Sequence, residues 1–191
     1  DRTLFLGGGG FGMPEDYSRR HPEGTADVVE LDPAVIDVGR RFFRLDEFPR
    51  VHPIACDARR YLAASTTTYD MIFCDAYHGV RNIPAHLVTR EFFVLVKSRL
   101  VDDGVFLANV ISPVTGESSA LFRSLLQTMR AEFAYTEAFS SENRSLNLVN
   151  NVIVMASNRP FTRHPDAVPA DAVTSYLLST RIDRTAYEPL K

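Results

Sequence analysis

Four consecutive glycines, Gly7-Gly8-Gly9-Gly10, follow directly on the apolar run Thr3-Leu4-Phe5-Leu6, and this junction constrains the fold more than any other feature of the chain. A short β-forming run has to end where the backbone turns sharply, and glycine turns without a Cβ in the way and lets a neighbour approach closely. After Phe11-Gly12, the stretch from Met13 to His21 has the marks of a helix: Pro14 near its start, Glu15 and Asp16 in its first turn, and Arg19, Arg20 and His21 in its last. That ordering complements the helix dipole. Strand, glycine turn and helix in this order open a nucleotide-binding βαβ unit. No Gly-Lys-Ser/Thr follows, so the loop is not a phosphate loop.

The alternation continues, with short apolar runs separated by segments of helical period, as in a parallel sheet. Ala26–Leu31 reads as a second strand, after which Asp32-Pro33 supplies an N-cap and a first-turn proline. Val35, Val38 and Phe42 share one face of the helix that follows. Val51–Ala55 is a third strand, with Asp57 capping a short helix through Leu62, and Asp70–Cys74 is a fourth. Pro84 to Leu100 is expected to be mostly helix, with Phe92, Leu95, Val96 and Leu100 in one stripe. Asp102-Asp103-Gly104 turns into a fifth strand, Val105–Ile111. Thr115 to Phe133 carries Leu121, Leu125 and Met129 at helical spacing. Tyr135–Phe139 and Val152–Ala156 form a closing antiparallel pair, turned by Asn147–Asn151. The expected fold is therefore α/β, a doubly wound sheet of about seven strands, mostly parallel, with an antiparallel strand near the C-terminus. Residues 1–160 form the nucleotide-binding domain, and 161–191 a proline-marked tail with a late helix near Asp171–Leu178.

A chain of 191 residues with 45% hydrophobic and 24% charged residues builds one globular domain without staples. A net charge of −3 and the absence of a polybasic block give no reason to expect nucleic acid. No apolar run approaches the ~20 residues of a membrane span, so no membrane insertion by this segment is expected. Cys56 and Cys74 end strands three places apart, roughly 14 Å at about 4.8 Å per strand, too far for a disulfide. Reduced thiols suit a cytoplasmic location. The start on an apolar strand suggests a domain excised from a longer polypeptide.

Doubly wound sheets bind ligands beyond the carboxyl ends of their strands, and four features lie there. The Gly7–Gly10 loop is the first. Glu30, 23 residues after Gly7, ends the second strand, where a carboxylate accepts both hydroxyls of a ribose. Asp57-Ala58 follows the third strand, placed to bond the exocyclic amine of an adenine, although N-capping also explains Asp57. Asp75 ends the fourth strand, across the switch crevice from the glycines, where it can steady a cation or take a proton from an amine. Leu31 and Ala58 join the cofactor-binding set beside their carboxylates. Tyr77 and His78 are candidates to line a substrate pocket, whereas His21, His52, His86 and His164 read as ordinary surface residues. No His, Cys and Asp set has metal-site spacing, so no metal is expected.

Together these stretches resemble the spermidine synthase (polyamine aminopropyltransferase) family, which shares the class I methyltransferase fold. The resemblance runs from Leu4 to about Ala156. It rests on Leu6-Gly7-Gly8-Gly9, Val29-Glu30-Leu31-Asp32-Pro33, Cys56-Asp57-Ala58, Tyr69-Asp70-Met71-Ile72, Asp75, Leu87-Val88-Thr89-Arg90-Glu91-Phe92-Phe93 and Asp102-Asp103-Gly104. It implies transfer of an aminopropyl group from decarboxylated S-adenosylmethionine to a small-molecule, polyamine-type amine. The glycine loop would cradle the donor, Glu30 hold its ribose, Asp57 its adenine, and Asp75 would orient and deprotonate the amine.

Two departures stand out. His78 replaces an acid that binds substrate in the family, and Gly10 replaces an acid that disfavours the carboxylate of ordinary S-adenosylmethionine. The family's N-terminal β-hairpin domain, which helps build dimers, does not occur in these 191 residues, so a homodimer stays an open expectation. A methyltransferase using S-adenosylmethionine and a non-catalytic nucleoside-binding domain are the alternatives.

Overall fold

A computed structural model describes residues 1–77, 83–140, 145–161, 181–183 and 186. Their strands form one seven-stranded sheet in the order β3-β2-β1-β4-β5-β7-β6. β1 (Arg2–Leu6), β2 (Thr25–Glu30), β3 (Val51–Ala55), β4 (Tyr69–Cys74) and β5 (Leu100–Ser112) are parallel, and β7 (Asn150–Ser157) runs antiparallel between β5 and β6 (Tyr135–Ser140). The order reverses beside β1, whose two neighbours are β2 and β4. Leu6 pairs with both Val29 and Cys74, and Glu30 pairs with Ala55, so the carboxyl tips of four adjacent strands end level.

The sheet separates two apolar clusters. On one face Leu62 from α3 (Ala58–Ala64), Phe92, Phe93 and Val96 from α4 (Arg90–Ser98), and Phe122, Leu126 and Met129 from α5 (Ala120–Glu132) pack on Leu4, Leu6, Ile72, Phe106 and Val154. On the other, Phe11 and Ile36 of the α1 (Gly12–Arg20) and α2 (Pro33–Phe42) region pack on Phe5, Val28 and Phe73. Asp32 caps α2 as its chemistry demands, its side chain accepting from the Ala34 N–H at 2.8 Å, with Pro33 in the first turn.

Local pattern misjudged several places. Of the stripe Val35-Val38-Phe42 only Val35 packs against the core: Val38 and Phe42 are exposed, Phe42 at 73%, and α2 buries Ile36 and Gly39. Gly39 is a hole for Phe11, whose ring would stand 2.7 Å from a Cβ at that position. A glycine thus turns the helix through its smallest side, which a count of apolar residues cannot register. Leu121 is likewise exposed, while Leu125 and Met129 are buried as expected.

The segment from Pro84 is not one helix. A 3-10 turn at Ala85–Leu87 precedes α4, which Thr89 caps through the Phe92 N–H, and Leu100 already belongs to β5. Asp102-Asp103-Gly104 is part of β5: Tyr69 pairs with Leu100 and Met71 with Val105, so the acidic turn is a bulge facing Asp70. α5 starts at Ala120 rather than Thr115, after a 3-10 turn at Glu117–Ser119, and β7 begins at Asn150, inside the expected turn.

The late helix expected near Asp171–Leu178 lies outside the described residues. Beyond it, the Ile182 N–H donates to the Ala138 carbonyl at 2.9 Å and Arg181 pairs with Glu137, both along β6. Cys56 and Cys74 are free thiols, and burial pushes Cys74 up to about 12. No described helix is long and apolar enough to cross a membrane.

Candidate functional site

Gly7 knits three strand tips together. Its N–H donates to the Val29 carbonyl at 2.8 Å, and the Asp75 N–H donates to the Leu6 carbonyl at 2.9 Å. Gly7 has φ +102°, and a Cβ there would stand 2.7 Å from the Asp75 carbonyl oxygen. Only glycine lets the β4 tip, and with it Asp75, close against the loop.

Glu30 is fixed from both sides. Oε2 accepts the Gly8 N–H at 2.8 Å and Oε1 the Asp32 N–H at 3.0 Å. Each carboxylate oxygen has two lone pairs, so one remains on each for an outside donor. A Cβ at Gly9 or Gly10 would meet no heavy atom within 4 Å. Both glycines border an open hollow of about 420 Å³ whose other walls are Ala34, Val35, Val38 and Phe43. Leu31, next to Glu30, is 65% exposed. A carboxylate with spare acceptors, an open glycine wall and an exposed aliphatic side chain fit the ribose and base of an adenosine-bearing donor.

Asp57 does cap α3. Oδ1 accepts the Arg60 N–H at 2.9 Å, while Oδ2 lies 2.9 Å from Nε2 of His86. Burial pushes this carboxyl up, but the Arg60 N–H and the His86 contact outweigh it, and the group ends below the usual carboxylate range. His86, half-exposed at the surface, is thus held against the α3 cap. Its 3-10 turn is tied down further where Arg59 donates to the His86 carbonyl at 3.2 Å. No local signal marks a pair 29 residues apart. The Ala58 side chain is buried in the core cluster.

Asp75 accepts a hydrogen bond from Asn109 Nδ2 at 2.9 Å, on Oδ1. Asn109, on β5, was not singled out from the sequence, because only the β4–β5 pairing brings it there. The Tyr77 hydroxyl donates to the Asn109 carbonyl and accepts the Ile111 N–H, both at 2.8 Å. Burial pushes the phenol up to about 12 although the Ile111 N–H opposes the shift. The Tyr77 hydroxyl thus bonds to β5. His78 lies outside the described residues. Among the described residues no three His, Cys, Asp or Glu side chains gather as a metal group would require.

A seven-stranded sheet with a reversed β7 and with carboxylates at the carboxyl tips of its parallel strands defines an α/β protein of the methyltransferase-like class. A probable spermidine synthase from Corynebacterium glutamicum superposes on 87% of the chain, and the chain on 59% of it, with a TM-score of 0.73 at 25% identity. Human methyltransferase-like protein 13, in complex with SAH, superposes on 94% of the chain, and the chain on 78% of it, at TM-score 0.70 and 25% identity. The spermine/spermidine synthase domain family matches residues 2–163, and the chain belongs to that family. A curated relative, polyamine aminopropyltransferase of Vibrio vulnificus, is 35% identical over 130 residues, which are 65% of this chain but only 43% of that protein. The human eEF1A lysine and N-terminal methyltransferase is 26% identical over 133 residues, covering 64% of the chain and 19% of its own length.

Proposed function

We propose that this domain transfers an aminopropyl group from decarboxylated S-adenosylmethionine to a primary amine of the polyamine type. The observation that carries the reading is the placement of Asp75, one strand from the glycine loop and pressed against it by the Gly7 contact. The donor supplies a carbon activated by a sulfonium. Glu30 binds the ribose with its two spare lone pairs, and Asp57, Leu31 and the Ala58 segment receive the adenine. Asp75, with Oδ1 taken by Asn109, orients the amine through Oδ2, which accepts the proton that the nitrogen loses as it bonds to carbon. The carbon–sulfur bond breaks with its electron pair on sulfur, and methylthioadenosine leaves. Positioning and charge supply the rate. His78 joins the amine pocket in this reading, while Tyr77 acts through β5. Two unpaired thiols accord with a cytoplasmic location.

Incubation with decarboxylated donor and putrescine should give spermidine and methylthioadenosine. Failure with a panel of diamines and polyamines would end the reading.

One observation favours a second reading, methyl transfer from S-adenosylmethionine. A Cβ at Gly10 would meet no described heavy atom within 4 Å, and this glycine stands where the family carries an acid that would repel the donor's carboxylate. Calorimetry with both donors separates the two, since tighter binding of the carboxylated form supports methyl transfer.

A further inference from the structure

Asn109 stands out among the polar groups near the strand tips. Its side chain holds Asp75, its backbone carbonyl takes the Tyr77 hydroxyl, and Tyr77 in turn receives the N–H of Ile111, two residues further along β5. The stretch Asp75–Tyr77 is therefore pinned to β5 on both sides of Asn109, once through a side chain and once through the main chain. A weaker contact of 3.5 Å links Nδ2 to Asn151 Oδ1 on β7. The other end of the amide, Oδ1, is buried and has no hydrogen-bond partner among the described residues. An amide kept for stability alone would have both ends paired, since a buried unpaired carbonyl is costly and calls for a reason.

We propose, on the basis of the aminopropyl-transfer reading, that Asn109 is the positioning residue of that reaction. Its Nδ2 occupies Asp75 Oδ1 and fixes the carboxylate rotamer, so that Oδ2, to which no described residue donates, is the oxygen presented to the amine. The amide orientation is forced: a carboxylate oxygen at 2.9 Å requires Nδ2 there, which turns Oδ1 to its unpaired position. Asn109 exchanges no proton and binds no part of the donor. Its loss should therefore be felt in the chemical step and leave nucleoside affinity untouched. A longer amide at this position would reach the carboxylate only with a changed angle, so Gln should restore part of the function and Ala none.

Asn109→Ala and Asn109→Gln test this against wild type with three readouts: methylthioadenosine affinity by calorimetry, kcat for amine transfer, and melting temperature. The expected result for Ala is a kcat about 10- to 100-fold lower with nucleoside affinity within about twofold, and for Gln an intermediate kcat. An unchanged kcat in a folded Ala variant, or a parallel loss of nucleoside affinity, overturns the proposal. A readout independent of turnover is the side-chain amide resonance of Asn109 in a ¹⁵N spectrum. It should shift in Asp75→Ala, and a resonance that ignores that change sinks the contact itself. Wild-type protein inactive with every amine, but with an amide resonance that responds to Asp75→Ala, would instead locate the failure in the aminopropyl-transfer reading.

Discussion

Two carboxylates at opposite ends of the same sheet show what a buried acid is for. Asp27, near the start of β2, is 3% exposed and enclosed by donors: Arg2 at 2.8 Å, the Tyr69 hydroxyl at 2.8 Å and His52 Nδ1 at 3.0 Å. The Tyr61 hydroxyl backs Tyr69 at 2.6 Å, closing the network. Asp75, past the end of β4, has a single side-chain partner among the described residues, which leaves an oxygen to spare. Both sit in sequence as short acids beside apolar strand residues. One has every oxygen occupied by the fold and the other does not, so the first is a stability element and the second a group available to a ligand.

Substitution should separate the two ends. The largest effect is expected for Asp75→Asn, which keeps the shape and removes the proton acceptor. Turnover with amine should fall by about 100- to 10,000-fold, while the melting temperature stays close to wild type because little of the fold leans on this side chain. Product formation and a thermal melt on the same preparation check this. A melting temperature that collapses would make Asp75 structural and erase the contrast.

Asp27→Ala is expected to do the reverse. It strands the Arg2 guanidinium and the buried Tyr69 hydroxyl without an acceptor and should cost about 3 kcal/mol in denaturant unfolding, with nucleoside affinity unchanged in the protein that remains folded. The Asp27 carboxyl is pushed up by burial, but the hydrogen bonds of His52, Tyr69 and Arg2 outweigh it and leave it below the ordinary range. A lowered folded-state value means stability that is present above the unfolded value, near 4, and is lost as the pH falls through the folded one. Acid unfolding curves of wild type and Asp27→Asn should therefore converge at low pH.

Glu30→Ala comes next. It removes the acceptor for the Gly8 and Asp32 N–H groups and, in the proposed reading, for two ribose hydroxyls. The expected loss of methylthioadenosine binding is about 1.5–3 kcal/mol by calorimetry. Unchanged affinity would detach the ribose from this strand tip and leave Asp75 as the only functional carboxylate of the comparison.

The division between what the sequence revealed and what it hid follows the same physics. Asp32 and Asp57 were readable as caps because an N-cap is a contact within three residues. Glu30 and Asp75 were readable as strand-tip acids because a short continuous apolar run ends just before each. Their partners were not. His86 meets Asp57, and Asn109 meets Asp75, only through the packing of a 3-10 turn on α3 and of β5 on β4. The Asp27 network was invisible for the same reason, since Tyr69 lies 42 residues away from it in sequence. The α2 stripe failed differently: an apolar count grouped Val35, Val38 and Phe42 on one face, but Val38 and Phe42 are exposed and the helix packs through Ile36 and the glycine that receives Phe11.

Glu15 provides the smallest test, and its sign is opposite to that of Asp27. It sits in the first turn of α1, 8% exposed, with Oε1 buried and unpartnered and Oε2 3.7 Å from Arg19. Burial dominates the attraction of Arg19 and Arg44, and the carboxyl is raised above its ordinary range. Between the unfolded and the raised folded value the native state holds the extra proton, so stability falls as the pH rises through that window and stays lower above it. Glu15→Gln is neutral at every pH and gives up only a partly exposed ion pair with Arg19, worth about 0.3–0.5 kcal/mol. The variant should match wild type near pH 4 and exceed it by about 1 kcal/mol at pH 7, the scale of one buried polar group left unsatisfied. Urea unfolding at the two pH values measures both. Equal stability at pH 7 would mean that Arg19 already compensates the charge, and Glu15 would then join Asp27 as an acid satisfied by the fold.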